Sequence, residues 1–216
     1  KSGFGGVSSS VTVKKNDPIP VIPQTPEPEK VLYKDIGNVV WAKESISYFT
    51  NAGVLSGDGS GNFYPDRPVK REEFIKIIIT AFHLTDSAAT ADLKDVAPGA
   101  WYYPYIASAI KNEIIKGYED NTFGVGKDIT RQDMAVILSR VAERSGKSLP
   151  ETAKETQFND SDQIASYAVE PVSILFQNNI VSGFENGAFL PLEPSTRAQA
   201  AKMVYELYRT LQSIGR

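Results

Sequence analysis

Three arginines, Arg71, Arg131 and Arg197, stand fourteen residues after Gly57, Gly117 and Gly183, and those glycines stand sixteen residues after Trp41, Trp101 and Tyr167. These residue types suit the capture of an anionic ligand beside a flat apolar face. A guanidinium grips a carboxylate through two parallel charge-assisted hydrogen bonds, an aromatic ring offers a flat apolar face, and a glycine leaves backbone open to a ligand. Lys70 adds a second cation beside Arg71. Two readings stay open for each type. The arginines bind an anion, or pair with Asp35, Asp95 and Asp160 and lock each copy, and the two can coexist. The aromatics stack on a ligand or roof the core, and the glycines serve turns first and a ligand second.

Composition removes most other chemistry. The 23 Lys and Arg against 26 Asp and Glu leave a net charge of −3, so no overall positive field draws in nucleic acid and an anionic partner must be captured locally. There is no Cys and one His, His83, which argues against thiolate or imidazole metal sites and against a Ser-His-Asp triad. Asp58-x-Ser60-x-Asn62 has the look of a calcium loop, but Phe63 sits where such a loop needs Gly and Val69 where it needs Glu. No metal or cofactor is expected. No apolar run reaches the ~18 residues of a membrane span, and Lys1-Ser2-Gly3-Phe4 does not open a signal peptide. The chain reads as an excerpt of something longer, without membrane insertion.

A repeat positions the candidate residues. Residues 1–30 are rich in Gly, Ser and Pro and read as a linker, in which the short run Val11-Thr12-Val13 is either part of the linker or the last strand of a preceding domain. Three copies follow, over 31–90, 91–150 and 151–216. Phe63, Phe123 and Phe189 keep step six residues after each glycine. Each copy reads as two helices around a Gly-rich loop. In the first, Ile46, Phe49 and Val54, then Ile106, Ala109 and Ile114, then Val172, Leu175 and Ile180 recur at roughly helical spacing, and the loop glycine ends the element. The second helix opens at the arginine. Thr130 with Asp133 and Thr196 with Gln199 fit a capping box, while copy one has Lys70 in place of Thr. Its stripe is Phe74, Ile77, Ile78 and Ala81, matched by Met134, Ile137, Leu138 and Val141 and by Ala200, Met203, Val204 and Leu207. Two short helices cannot bury such a stripe alone. The expected fold is therefore all-α, a single unit in which three helix-loop-helix copies form a pseudo-threefold ring around a central three-helix bundle.

Specific pieces carry a family resemblance. Lys34-Asp35, Trp41-Ala42, Gly53-Val54-Leu55-Ser56-Gly57, Asn62-Phe63-Tyr64-Pro65 and Lys70-Arg71-Glu72-Glu73 in copy one, with Phe158-Asn159-Asp160, Tyr167-Ala168, Ile180-Val181-Ser182-Gly183 and Thr196-Arg197-Ala198-Gln199 in copy three, resemble the S-layer homology domain. The resemblance covers about residues 33 to 210. It implies a non-catalytic module that binds a secondary cell-wall polysaccharide, often through pyruvylated N-acetylmannosamine, and so tethers an exported protein to the wall or S-layer of a Gram-positive-type bacterium. It implies no cofactor, and a monomer with internal symmetry. Lys70, Tyr167, Asp133, Gln199 and Val125 depart from the motif, so the three sites need not be equal. Two other classes compete: a protein-interaction module of a surface lattice, and a glycan-cleaving enzyme, against which the even repetition of the acids argues.

Overall fold

The computed structural model describes residues 33–152 and 158–214; the linker expected over 1–30 lies outside them. Among the described residues six α-helices form, α1 (Lys43–Asn51), α2 (Arg71–Ala81), α3 (Tyr103–Lys111), α4 (Arg131–Arg144), α5 (Val169–Gln177) and α6 (Arg197–Ser213). Among the described residues there is no strand, only three isolated bridges, so the chain is all-α as expected. No helix among them is long and apolar enough to cross a membrane.

The first helix of each copy ends earlier than the apolar spacing suggests. Gly53, Glu113 and Asn179 take left-handed conformations, with φ of 70°, 61° and 58°. The amides of Val54, Ile114 and Ile180 then reach back to the carbonyls of Phe49, Ala109 and Leu175 at 2.8, 2.9 and 2.9 Å, a Schellman closure. The apolar residue after each turn stays buried on the face that the helix began. The terminator is thus four residues before Gly57, Gly117 and Gly183. In two copies it is not glycine, which hid it from the sequence.

Packing interlocks the copies in a cycle. α3 of copy two lies on α2 of copy one, α5 on α4, and α1 on α6, so each first helix rests on the second helix of the preceding copy. α2 and α4 both pack against α6, and every residue of the second-helix stripe is buried. Two residues before each arginine the backbones join in a triangle: the Val69 N–H donates to Ser195 O at 2.9 Å, Ser195 N–H to Ile129 O at 3.0 Å, and Ile129 N–H to Val69 O at 3.1 Å. These otherwise orphaned donors and acceptors are satisfied only when all three copies are present. His83, expected on the second helix, lies past the end of α2 at φ 52° and is exposed.

Candidate ligand-binding grooves

Each loop is clamped by the aspartate that opens its own copy. Asp35 accepts the amides of Phe63 and Tyr64 at 2.7–3.1 Å, and Asp160 those of Phe189 and Leu190 at 2.8 Å. Asp95 accepts three, from Phe123, Gly124 and Val125 at 2.6–2.8 Å. Pro65 and Pro191 have no N–H to give, so Val125 at the equivalent place adds a bond. Burial works against the Asp95 carboxylate, but the donated amides outweigh it and hold its pKa below the ordinary value. Of the two readings left open for the arginines, the ion pairs of Arg71, Arg131 and Arg197 with these aspartates do not form among the described residues. The carboxylates are turned into their own loops, while each arginine leaves its copy.

Arg71 reaches into the loop of copy two. Its Nε donates to Phe123 O at 3.0 Å, and its guanidinium lies 5.1 Å from the Tyr118 and Phe123 ring centres. Arg197 enters the loop of copy one, donating from Nε to Phe63 O at 3.0 Å and from Nη2 to Ser56 O at 2.9 Å. Arg131 enters the loop of copy three. It lies over Phe184 and Phe189 at 5.0 and 5.1 Å and donates from Nη2 to Ser182 O at 2.7 Å. Cation–π contact replaces part of the hydration lost on burial.

The glycines permit this close packing. A Cβ on Gly57 would stand 2.4 Å from Asn62 O and 2.5 Å from the Tyr33 ring; on Gly117, 2.9 Å from Leu93 and 3.0 Å from Thr122 O; on Gly183, 3.1 Å from Phe158 and 3.2 Å from Ala188 O. Of the three only Gly117 has a positive φ, 79°. Close approach to the residue that opens the copy is the shared requirement, rather than the left-handed turn expected from sequence.

The aromatics come from the third copy in each case. Trp41, Trp101 and Tyr167 are 50%, 53% and 56% exposed, so about half of each ring's surface is open to a ligand. Trp41 of copy one lines a cleft of about 480 Å³ together with Arg131 of copy two and Gly183, Phe184, Gln199 and Lys202 of copy three. Trp101 lies over Lys76 at 5.7 Å, one turn along α2 from Glu73, whose charge bears on Arg197. The Tyr167 hydroxyl donates to Asp133 Oδ1 at 2.9 Å, and Asp133 Oδ2 pairs with Arg71 Nη1 at 3.2 Å. Burial first, then that hydrogen bond to Asp133, pushes the Tyr167 pKa up to about 12. Each groove therefore draws its arginine, its loop and its aromatic from three different copies. Trp41 thus lines its cleft with Arg131 and Gly183 of the other copies.

The grooves differ in charge. Arg131 is 7% exposed, and among the described residues no carboxylate pairs with it. Among the described residues its Nε has no hydrogen-bond partner, and Nη1 meets only the Met203 sulfur at 3.9 Å. Burial pulls its pKa down to about 10. Lys70, a candidate second cation, is held by Asp128 of copy two at 2.7 Å. The Asp58 carboxylate is occupied by the amides of Ser60 and Asn62, the Asn62 side chain and the Tyr64 hydroxyl. Among the described residues no His, Cys, Asp and Glu side chains cluster as metal ligands do.

Comparison with known proteins gives three matches to one family model, the S-layer homology domain, over residues 32–75, 92–135 and 157–201, one in each copy. The chain belongs to the S-layer homology domain family. It is similar to the Surface-layer 125 kDa protein of Lysinibacillus sphaericus, 28% identical over 81% of this chain and 14% of that protein. It is similar also to the Amylopullulanase of Thermoanaerobacterium thermosulfurigenes, 30% identical over 77% of this chain and 9% of that protein. The Cellulosome-anchoring protein of Acetivibrio thermocellus is 29% identical over 53% of this chain and 26% of its own length. The chain thus spans a small part of each of these relatives. As an S-layer homology module it is a cell-surface anchoring unit. The S-layer homology motif marked the arginines, glycines and aromatics. It did not mark Tyr118 and Phe184, which stack on the arginines from the position after the glycine, where copy one has Asp58.

Proposed function

We propose that the module anchors an exported protein to a bacterial cell wall by binding a secondary wall polysaccharide through a carboxylate, as on pyruvylated N-acetylmannosamine, in the grooves between copies. One observation supports this above all: Arg131 is a buried cation that no carboxylate among the described residues pairs with, set in a cleft that an exposed Trp41 also lines. A buried, unpaired charge is costly, and an anionic ligand offsets that cost at the moment of binding. The rings of Trp41 and Phe184 add apolar surface of the kind that sugar rings stack on.

The relatives argue for anchoring over catalysis. A surface-layer protein and an amylopullulanase share this segment although it covers only 14% and 9% of them. A shared unit on such different proteins supplies attachment, and the remainder of each supplies its own activity. The repeated acids Asp35, Asp95 and Asp160 are spent on the amides of their own loops. The test is calorimetry of the chain against purified wall polymer before and after removal of its pyruvyl groups. Binding lost with the pyruvyl groups supports the reading, and equal binding of both forms contradicts it.

A further inference from the structure

The third residue of each second helix decides whether the neighbouring arginine is free. In copy one, Glu73 turns back to cap its own helix, accepting the Lys70 amide at 2.9 Å, and also binds Arg67 at 2.8 Å. In copy three, Gln199 accepts the Thr196 amide at 3.0 Å. Asp133 in copy two is one methylene shorter. Its amide bonds Thr130 Oγ1 at 3.3 Å, but its carboxylate reaches across to Arg71 and the Tyr167 hydroxyl instead. The capping box expected over Thr130 and Asp133 is therefore only half made, and the released carboxylate stands where a ligand carboxylate would meet Arg71.

The Arg131 groove is the opposite case. The equivalent place there holds the neutral amide of Gln199, already occupied by the helix cap. Of the acids that line the cleft, Glu206 is neutralised by Lys202 at 2.5 Å and Glu185 is exposed. Arg131 makes one full-strength hydrogen bond and has an unpartnered Nε. Arg71 has both its Nε bond and its carboxylate. The Arg197 groove lies between, with Glu73 near but bound to Arg67.

We infer that Asp133 is a built-in occupant of the Arg71 groove, so that the three grooves fill in order and the Arg131 groove takes the carboxylate first. This rests on the reading that a carboxylate-bearing glycan is the ligand. A ligand entering the Arg71 groove must displace Asp133 from both Arg71 and Tyr167, a competition absent from the Arg131 groove. The module then holds one ready site and one latent site for the same acidic sugar.

The chain carries its own reporters, because its two tryptophans sit in different grooves. The indole N–H signal of Trp41 reads the Arg131 groove and that of Trp101 the Arg197 groove, while the Arg71 groove has no indole. The probe is the methyl glycoside of pyruvylated N-acetylmannosamine, titrated into the whole chain with parallel calorimetry. In the wild type the Trp41 signal moves at the lowest concentration and Trp101 follows. Asp133→Gln, which restores the cap used in copy three, raises affinity in the Arg71 groove by about tenfold or more. It therefore adds one binding event to the calorimetric stoichiometry while leaving both indole isotherms in place. Asp133→Asn, which removes the charge at nearly constant size, gives the same added event if Gln disturbs folding. An unchanged stoichiometry in both variants, or Trp101 moving before Trp41, overturns the inference while leaving carboxylate binding intact. No heat and no indole shift in any variant overturns the ligand reading and this inference with it.

Discussion

Asp95 and Trp41 mark the two ways in which a residue of this chain matters. Asp95 holds a loop together with three amides. Asp95→Asn is expected to cost about 1.5–3 kcal/mol at neutral pH, the usual value of hydrogen bonds to a charged group. Its folded pKa is depressed, so its contribution is complete above the unfolded value of about 4 and disappears as pH falls through the lower folded value. Thermal melts of the two proteins from pH 7 to pH 2 should start apart and converge below about pH 4. Trp41 is half exposed, and Trp41→Ala is expected to shift the melting temperature little while weakening glycan binding measured by calorimetry. A large loss of stability with unchanged affinity would return Trp41 to a packing role. Residue types and spacing made the site's components legible. The destination of each side chain was not, because spacing within a copy carries no information about which neighbouring copy a side chain enters.

At the level of elements, the apolar stripes of the second helices were fully readable, since their three- and four-residue spacing is a direct image of one buried face. Their starts were readable too where Thr196 and Gln199 form both halves of a capping box. Thr196→Ala removes one half and should cost about 1 kcal/mol, seen as a lowered urea midpoint with an unchanged slope. The first helices were legible in register but not in length. Glu113 and Asn179 close them in a conformation that favours glycine, and neither residue announces it. Asp133 was legible as a helix-start acid and illegible as a partner of Arg71, because that depends on a side chain one methylene too short for its own cap.

The three copies close into a cycle among the described residues, and that closure follows from the sequence only as an economy of burial. α6 is the element on which α1, α2 and α4 all rest, and Ser195 completes the backbone triangle. Deleting residues 152–216 should therefore leave a product without a cooperative thermal transition by calorimetry; a monomeric two-copy fragment with a sharp melt would contradict the interlock. The same closure creates the grooves, since each needs all three copies. The central claim is that their arginines are receptors for a ligand carboxylate, and it is tested most directly by calorimetric titration of the wild type and Arg131→Met with pyruvylated wall polymer. Met keeps much of the apolar stem and gives up the bond to Ser182 O, but it also removes a buried, unpaired charge, so the variant should fold with a stability close to that of the wild type. Loss of a charge-assisted contact of about 1.5–3 kcal/mol should weaken the tightest binding event roughly ten- to a hundredfold. A folded Arg131→Met protein that binds the pyruvylated polymer with wild-type affinity and stoichiometry would contradict the account.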